Sequence, residues 1–243
     1  MRQFGLIGYP LSHSFSKNFF TKKFSEENIH GCSYELFPIS SIDDFPPLLE
    51  HEKNIEGLNV TIPYKEAVLP FLSEVTDAVR EIGACNCIKI KNGSLKGYNT
   101  DVIGFEESLK PLLLPHHKKA LILGTGGAAK AVAWVLKKLQ IEFIYVSRRE
   151  GGGIVKYDQI NDEMIRNFHL IINTTPVGMQ PNAGQKPSLP YGGLSKKHLC
   201  YDLVYNPLKT AFLEEAEKRG AVIKNGMEML IIQAEESWKI WNS

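Results

Sequence analysis

The chain has 243 residues, of which 43% are hydrophobic and 23% are charged, and its formal net charge is +1. This composition is typical of a globular protein with one large domain or two of ordinary size. The near-neutral charge gives no indication of nucleic acid or an anionic membrane as a partner, so neither is expected.

None of the four cysteines lies in a Cys-x-x-Cys pair or at a zinc-ligand spacing, which predicts reduced, packed thiols and no metal site. Reduced thiols are typical of cytosolic proteins. The first apolar run, residues 4–7, is interrupted by Gly8 and Pro10 and is too short for a signal peptide or a membrane span. We therefore expect a cytoplasmic protein.

Apolar, strand-like runs alternate with helical patterns along the whole chain, which predicts an α/β fold with largely parallel sheets. The predicted strands are residues 4–7, 34–37, 57–60, 87–90, 121–123, 143–146, 170–172, 199–203 and 222–223. The predicted helices are residues 16–27, 101–114, 128–139 and 210–219. A hairpin is predicted at residues 91–94, because Asn92 and Gly93 favour a tight turn.

Residues 120–130 read Ala-Leu-Ile-Leu-Gly-Thr-Gly-Gly-Ala-Ala-Lys, an apolar strand that leads into a glycine-rich turn and a helix. Gly124 allows the tight turn, Gly126 lets the backbone approach a phosphate, and the small Ala129 lets the helix pack on the strand. The N–H groups at the positive end of the helix then face an anion. The pattern indicates a dinucleotide site, and an ordinary strand–helix turn is the alternative.

The glycine-rich turn falls in the middle of the chain, so a domain of about a hundred residues must precede it. Apolar residues recur at helical spacing near the other end: Met227, Leu230, Ile231, Ala234, Trp238 and Trp241. We expect this helix to pack on the first domain and to close a cleft between two lobes. The expected limits are residues 1–102 with 226–243 for the first domain and 103–225 for the second. Three glycines at 151–153, where a second Rossmann helix would normally begin, predict an abbreviated second half.

Polar segments in the first hundred residues fit a site better than a purely structural role. Ser14 and Ser16 lie in a predicted strand-to-helix turn, where a hydroxyl binds a carboxylate or simply caps the helix. Asn59 and Thr61 alternate with apolar residues, so both project from one face of a strand end. These four side chains are therefore candidates for substrate binding.

Two charged residues follow in the same part of the chain. Lys65 comes shortly after Pro63, near the expected start of a helix, although a surface lysine is more often solvated than catalytic. Asp101 ends the segment Gly-Tyr-Asn-Thr-Asp, where an N-cap role for the next helix is the alternative.

Together these segments resemble the shikimate dehydrogenase family. That family has a Gly-x-Pro-x-x-His-Ser-x-Ser start, an Asn-Val-Thr-x-Pro-x-Lys segment and an Asn-Thr-Asp segment, in this order before a glycine-rich turn. Residues 172–179, 202–207 and 226–234 match later family segments, so the resemblance covers nearly the whole chain. It implies a two-lobed α/β enzyme with an N-terminal substrate-binding domain and a Rossmann-type domain that binds NADP.

The resemblance also implies the reaction, the reversible reduction of 3-dehydroshikimate to shikimate with NADPH in aromatic amino acid biosynthesis. Lys65 and Asp101 match the catalytic pair, in which an ammonium group stabilises and protonates the ketone oxygen and a carboxylate holds the ammonium. The matched substrate-binding residues are Ser14, Ser16, Asn59, Thr61, Lys65, Asn86, Asp101, Tyr205 and Gln233. The matched cofactor-binding residues are Gly124, Thr125, Gly126, Gly127, Ala128, Ser147, Arg148, Arg149, Thr174, Val204 and Gly226. His13 also matches a family position and is taken as structural.

The residues after the second strand of the Rossmann domain bear on the choice of cofactor. An NAD-selective site usually offers a carboxylate to the ribose hydroxyls, whereas Ser147, Arg148 and Arg149 stand here. Guanidinium groups suit a 2′-phosphate, so NADP is predicted, with Glu150 as a feature that weakens the preference. Departures from the family pattern are Lys17 in place of proline and Cys87 in place of threonine.

Two alternatives remain open at this point. A quinate/shikimate dehydrogenase is similar in fold and catalytic pair but accepts more substrates and uses NAD or NADP. A Rossmann-type protein that senses nucleotides without chemistry would be expected to lack Lys65 or Asp101, and both are present. A small-molecule substrate and a monomer or homodimer are expected.

Overall fold

The computed structural model describes residues 1–11, 14–149 and 151–243. They form two compact units, residues 1–100 with 233–243 (unit 1) and residues 101–232 (unit 2). Each unit contains a six-stranded sheet flanked by helices, which confirms the predicted α/β class. Among the described residues, none of the helices is both long and apolar enough to cross a membrane.

Unit 1 has a mixed sheet with the strand order β2-β1-β3-β5-β6-β4. Its elements are β1 (Arg2–Gly8), α1 (Phe15–Glu26), β2 (Cys32–Pro38), α2 (Phe45–His51), β3 (Ile55–Val60), β4 (Glu74–Val75), α3 (Asp77–Ile82), β5 (Cys87–Lys91) and β6 (Ser94–Tyr98). Strand β1 pairs in parallel with β2 and β3, whereas β5 runs antiparallel to β3 and β6. The predicted hairpin is confirmed: Asn92 and Gly93, with φ of 51° and 79°, connect β5 to β6.

Unit 2 has a parallel sheet with the strand order β12-β11-β10-β7-β8-β9. Its elements are α4 (Asp101–Leu109), β7 (Lys119–Leu123), α5 (Gly127–Lys138), β8 (Glu142–Ser147), β9 (Ile154–Lys156), α6 (Asp162–Asn167), β10 (Leu170–Asn173), β11 (Leu199–Asp202), α7 (Ala211–Lys218) and β12 (Val222–Lys224). The last helix, α8 (Met227–Trp241), begins in unit 2, and its residues from 233 onward belong to unit 1.

The second half of α8 packs on the sheet of unit 1, as predicted. Trp241 stacks on Phe4 of β1 with ring centroids 4.9 Å apart, and its Nε1 donates to the Ile88 backbone oxygen at 3.0 Å. Gly57 on β3 makes room for the indole, since a Cβ there would collide with it. A buried tryptophan removes about 200 Å² of surface from water, which stabilises the fold by several kcal/mol. This packing places the α8 side chains next to the strand ends of unit 1.

The predicted helix 101–114 is shorter in the structure. Helix α4 ends at Leu109 and a 3-10 helix follows over Lys110–Leu112, because Pro111 has no N–H and cannot continue the α-helical ladder. The short helices α2, α3 and α6 and the strands β4 and β9 were not predicted. Each has only two to seven residues, too few for a periodic apolar pattern to stand out.

Candidate functional site

Asn59 lies at the carboxyl end of β3 with only 4% of its surface exposed. Its Oδ1 accepts the Tyr34 hydroxyl at 2.8 Å. Its Nδ2 donates to Ser237 Oγ at 2.9 Å and to the Asn86 backbone oxygen at 3.3 Å. Strand β2, helix α8 and the segment before β5 therefore fix the orientation of this amide.

Asn86, which precedes β5, binds Thr100 with both ends of its side-chain amide. Its Oδ1 accepts the Thr100 N–H at 2.6 Å, and its Nδ2 donates to Thr100 Oγ1 at 3.0 Å. Thr100 Oγ1 also lies 3.5 Å from Gln233 Oε1 and 3.3 Å from Ser237 Oγ. Asn59, Asn86, Thr100, Gln233 and Ser237 thus form one buried polar group in unit 1, which we call the amide cluster.

The structure thus brings together three of the predicted substrate residues, Asn59, Asn86 and Gln233. The sequence reasoning missed Thr100 and Ser237, which connect them. Ser237 follows Gln233 by one helical turn on α8 and is fully buried. A hydroxyl within the apolar stripe of an amphipathic helix was the signal that could have identified it.

Ser14 and Ser16 stand at the start of α1. Ser14 is the N-cap, and its Oγ accepts the Lys17 N–H at 3.5 Å, a long and therefore weak capping bond. Burial raises the pKa of Tyr34, and a hydrogen bond with Ser16 opposes that rise. Ser16 is therefore connected through Tyr34 to the amide cluster. The prediction for His13 lies outside the described residues.

Thr61 and Lys65 lie in the turns that follow β3. The Lys65 backbone oxygen accepts the Cys85 N–H at 2.8 Å, which holds this turn beside the segment that leads into β5. The expected helix near Lys65 is absent from the described segment 61–72. A 3-10 helix occupies Leu69–Phe71 instead, because Pro70 lacks the N–H that an α-helical ladder needs.

Asp101 is the first residue of α4 and belongs to unit 2, whereas Lys65 belongs to unit 1. A carboxylate in the first turn of a helix lies at the positive end of the helix dipole. Tyr205 is half-buried in the segment after β11, also in unit 2. The joint catalytic role of Lys65 and Asp101 remains a prediction.

The glycine-rich turn connects β7 to α5 in unit 2. Gly124 has a φ of +112°, which favours glycine, and a Cβ there would lie 2.7 Å from Thr174 Oγ1. Gly126 is the N-cap of α5, makes no side-chain capping bond, and has open space where a Cβ would be. Thr125 is exposed between them, and Gly127 and Ala128 form the first turn of α5. Uncapped N–H groups beside an open glycine backbone fit a pyrophosphate group.

A second turn lies next to the glycine-rich turn, at the carboxyl end of β10. Thr174 donates its hydroxyl to the Leu123 backbone oxygen at 2.6 Å, which joins the ends of β10 and β7. Asn173 accepts the Thr175 hydroxyl at 2.6 Å and donates to Asp202 Oδ1 at 2.9 Å. The predicted cofactor residue Thr174 therefore contacts the glycine-rich turn directly.

Asp202 joins this turn to the end of β11 and is fully buried. Its carboxylate accepts the Val204 N–H at 3.0 Å and the Thr210 hydroxyl at 2.6 Å. Burial raises the pKa of Asp202 to about 6, and its hydrogen bonds oppose that rise. The Val204 backbone oxygen accepts the Gly226 N–H at 3.2 Å, so these two predicted cofactor residues are neighbours. A Cβ at Gly226 would collide with the backbone of the segment after β11.

Ser147 is the last residue of β8, and its Oγ accepts the Arg149 N–H at 3.4 Å. Arg148 and Arg149 are both exposed at this strand end. Burial raises the pKa of Tyr157, and the nearby positive charge of Arg148 opposes that rise. The prediction for Glu150 lies outside the described residues. In the described part of the chain, no three His, Cys, Asp or Glu side chains are arranged to hold a metal ion.

Known proteins match nearly the whole chain. A family model of the shikimate dehydrogenase substrate binding domain matches residues 6–88. The shikimate dehydrogenase (NADP(+)) of Caldanaerobacter subterraneus subsp. tengcongensis is 37% identical over an alignment 260 residues long. The alignment covers 98% of this chain and 90% of that protein.

Solved structures are similar over the same length. The shikimate 5-dehydrogenase of Thermus thermophilus, in complex with NADP(H) and shikimate, has a TM-score of 0.88 at 31% identity, covering 99% of this chain and 93% of that one. The shikimate 5-dehydrogenase of Listeria monocytogenes, in complex with shikimate and NAD, has a TM-score of 0.89 at 25% identity, covering 100% and 92%. The resemblance in the sequence motifs is confirmed, and the chain belongs to the shikimate dehydrogenase family.

Proposed function

We propose that this chain catalyses the reversible reduction of 3-dehydroshikimate to shikimate with NADPH. The amide cluster, in a chain of this family, is the observation that carries the proposal. A cyclic triol needs several polar partners of fixed orientation, because a buried polar group left unpaired costs about 1–3 kcal/mol. Asn86 retains one Nδ2 hydrogen beyond its bond to Thr100. This hydrogen is suited to a ring hydroxyl.

The substrate-binding residues fall into two groups, according to the part of the substrate that they bind. The hydroxyls of Ser14 and Ser16, at the start of α1, bind the substrate carboxylate. The side chains that bind the ring hydroxyls and the reacting carbonyl are Asn59, Thr61, Lys65, Asn86, Asp101, Tyr205 and Gln233. Residues 1–102 and 226–243 form the substrate-binding domain, and residues 103–225 form the NADP-binding domain.

Lys65 and Asp101 carry the proton chemistry. When bound, NADPH supplies a hydride to the carbonyl carbon. Lys65 stabilises the negative charge that develops on the carbonyl oxygen and donates a proton to it. In the reverse direction, Lys65 accepts the proton of the alcohol. Asp101 orients the ammonium group and favours its charged form before the transfer.

The cofactor residues lie at the carboxyl ends of the unit 2 strands. Gly124, Thr125, Gly126, Gly127 and Ala128 hold the pyrophosphate at the start of α5. Thr174, Val204 and Gly226 lie in the turns after β10 and β11 and before α8, where they would help to hold the cofactor. Ser147, Arg148 and Arg149 bind the 2′-phosphate, which supports NADP over NAD.

Charge and cysteine chemistry bear on the partners and the location of the enzyme. The net charge of +1 supports a small-molecule substrate without nucleic acid or membrane as a partner. Four cysteines, none of them in a disulfide, support the cytoplasm as its location. We assign it as a monomer or a homodimer.

The proposal is tested by steady-state oxidation of shikimate and of quinate, each with NADP⁺ and with NAD⁺. We expect turnover largely confined to shikimate with NADP⁺. Comparable rates with quinate or NAD⁺ would favour a quinate/shikimate dehydrogenase. The Listeria relative was solved in complex with shikimate and NAD, which is why NAD⁺ is included in the test. Absence of turnover in a folded protein that binds nucleotide would overturn the enzyme assignment and favour a nucleotide sensor.

A further inference from the structure

The connection between β8 and β9 is unusually short. Parallel neighbouring strands normally need a crossover of about a dozen residues, in most cases with a helix. Here residues 148–153 alone join the two strands, and their described members contain no helix. Gly152 and Gly153 have φ of +31° and +84°, so glycine is needed for its backbone conformation at this turn.

The short connection has a consequence at the carboxyl edge of the sheet. Ser147, the last residue of β8, pairs in register with Lys156, the last residue of β9. Residues paired in register on parallel strands lie about 5 Å apart and project from the same face. Lys156 is half-buried, and its pairing with Ser147 places its backbone beside the strand end that precedes Arg148 and Arg149.

A second observation joins the two segments. The positive charge of Arg148 acts on Tyr157, the residue that follows Lys156. The charge of Arg148 therefore acts across the gap between the end of β8 and the end of β9. The strand register thus brings Lys156 to the strand end at which Arg148 and Arg149 follow Ser147.

We infer that Lys156 is a third cationic ligand of the cofactor 2′-phosphate and contributes to the choice of NADP over NAD. A phosphate group near neutral pH carries a charge of about −1.5 to −2 on three strong acceptor oxygens, so a third cationic side chain finds an acceptor beside two guanidinium groups. In a Rossmann domain the 2′ position of the adenosine ribose lies at the end of the second strand, which is β8 here. The strand that follows this short connection thus supplies a phosphate ligand. The inference rests on the proposed NADP-dependent function.

The test measures binding, without turnover, of two fragments that differ only in the 2′-phosphate, 2′,5′-ADP and 5′-AMP. Isothermal titration calorimetry compares the intact protein with Lys156→Gln, Lys156→Arg and the control Lys218→Gln. Lys218 is exposed at the end of α7, which leads to the opposite edge of the same sheet. It therefore matches the charge change without lying near the site.

We expect Lys156→Gln to weaken 2′,5′-ADP about 5- to 10-fold and 5′-AMP less than about 2-fold, as for one partly exposed charge-assisted contact. Lys156→Arg and Lys218→Gln should stay near the wild type. Unchanged 2′,5′-ADP affinity in Lys156→Gln, or an equal loss for both fragments, would overturn the role of Lys156 alone. A wild-type protein that binds both fragments equally would overturn the NADP assignment, and the role of Lys156 with it.

Discussion

Asn86 binds Thr100 through both ends of its amide, at 2.6 Å to the backbone nitrogen and 3.0 Å to Oγ1. Thr100 is the last residue of the first segment of unit 1 and immediately precedes Asp101, the first residue of α4. Because Asn86 directly precedes β5, this pair of bonds holds the backbone of Thr100 beside the start of that strand. A side chain proposed to bind substrate therefore also fixes the backbone next to a proposed catalytic residue.

Thr100→Val tests that relationship. The change removes the hydroxyl but keeps the shape, so Asn86, Gln233 and Ser237 each lose a partner. We expect a loss of about 1–3 kcal/mol in the free energy of unfolding and a lower kcat/KM for shikimate. Urea denaturation and steady-state kinetics measure both. Thr21→Val, the same change at an exposed position of α1, should cost less than about 0.5 kcal/mol and leave kcat/KM unchanged. Wild-type stability in Thr100→Val would show that the cluster does not depend on this hydroxyl.

Lys65→Ala tests the proton-transfer role. An acid–base group acts mainly in the transition state, so kcat should fall about 100-fold or more while the melting temperature changes little. Stopped-flow or steady-state NADPH oxidation and a thermal melt give the two values. Lys53→Ala, an exposed lysine in the same unit, is the matched control and should retain full turnover. Near-normal kcat in Lys65→Ala would rule out the assignment.

Substitution by alanine should affect different properties at two glycines of unit 2, the stability at one and the affinity for NADPH at the other. At Gly226 a Cβ would collide with the Leu203 backbone, so Gly226→Ala should cost more than about 2 kcal/mol of stability. At Gly126 the Cβ has open space and φ is −77°, so Gly126→Ala should fold normally. It should nevertheless bind NADPH at least about 10-fold more weakly, because the methyl group occupies the approach of the pyrophosphate. Denaturation and fluorescence titration with NADPH distinguish the two, and equal stability of the variants would contradict this account.

Four histidines gather at the amino edge of the unit 2 sheet, with the ring of His169 5.3 Å from those of His116 and His198. Burial lowers the pKa of His117 and of His198, so the folded state favours their neutral forms. The unfolded chain takes up these protons near pH 6.5, so stability is retained above that pH and lost as the pH falls below it.

The double variant His117→Gln/His198→Gln should therefore lose less stability between pH 7 and 5.5 than the wild type. The difference in slope should reach up to about 1.4 kcal/mol per pH unit for each histidine removed. Urea denaturation across this range measures it. His30→Gln, at an exposed position, should keep the wild-type slope. Parallel curves for the double variant and the wild type would refute the contribution of these histidines.

Asp202 should change the stability with pH in the direction opposite to that of the two histidines. Its pKa is raised from 3.8 to about 6, so its protonated form favours folding below pH 4 and this contribution is lost as the pH rises through 6. Asn in this place keeps an acceptor for Asn173 and Val204 and can donate to Thr210. As the pH rises from 4 to 7, the free energy of unfolding of Asp202→Asn should increase by roughly 3 kcal/mol relative to that of the wild type. Denaturation at both pH values, with the exposed Asp158→Asn as control, measures this gain, and a pH-independent difference would contradict it.

Local patterns in the sequence were sufficient to predict most strands of the two sheets and the main turns. Apolar runs located nine strands, Asn92 and Gly93 located the hairpin, and Gly124 and Gly126 located the strand–turn–helix of unit 2. These features depend on residues that are close in sequence, because periodicity and turn conformation act over a few positions. The family motifs likewise indicated the candidate side chains of both units, whose roles stay predictions.

Only the tertiary structure decided which of those side chains meet. Asn59 and Ser237 are 178 positions apart in the chain, and Thr100 and Ser237 are 137 apart, yet both pairs are in hydrogen-bonding contact. Lys156 similarly comes beside Ser147 through the register of two strands. Such contacts arise from the packing of whole elements, and a buried hydroxyl or a short strand leaves little local pattern by which to recognise it.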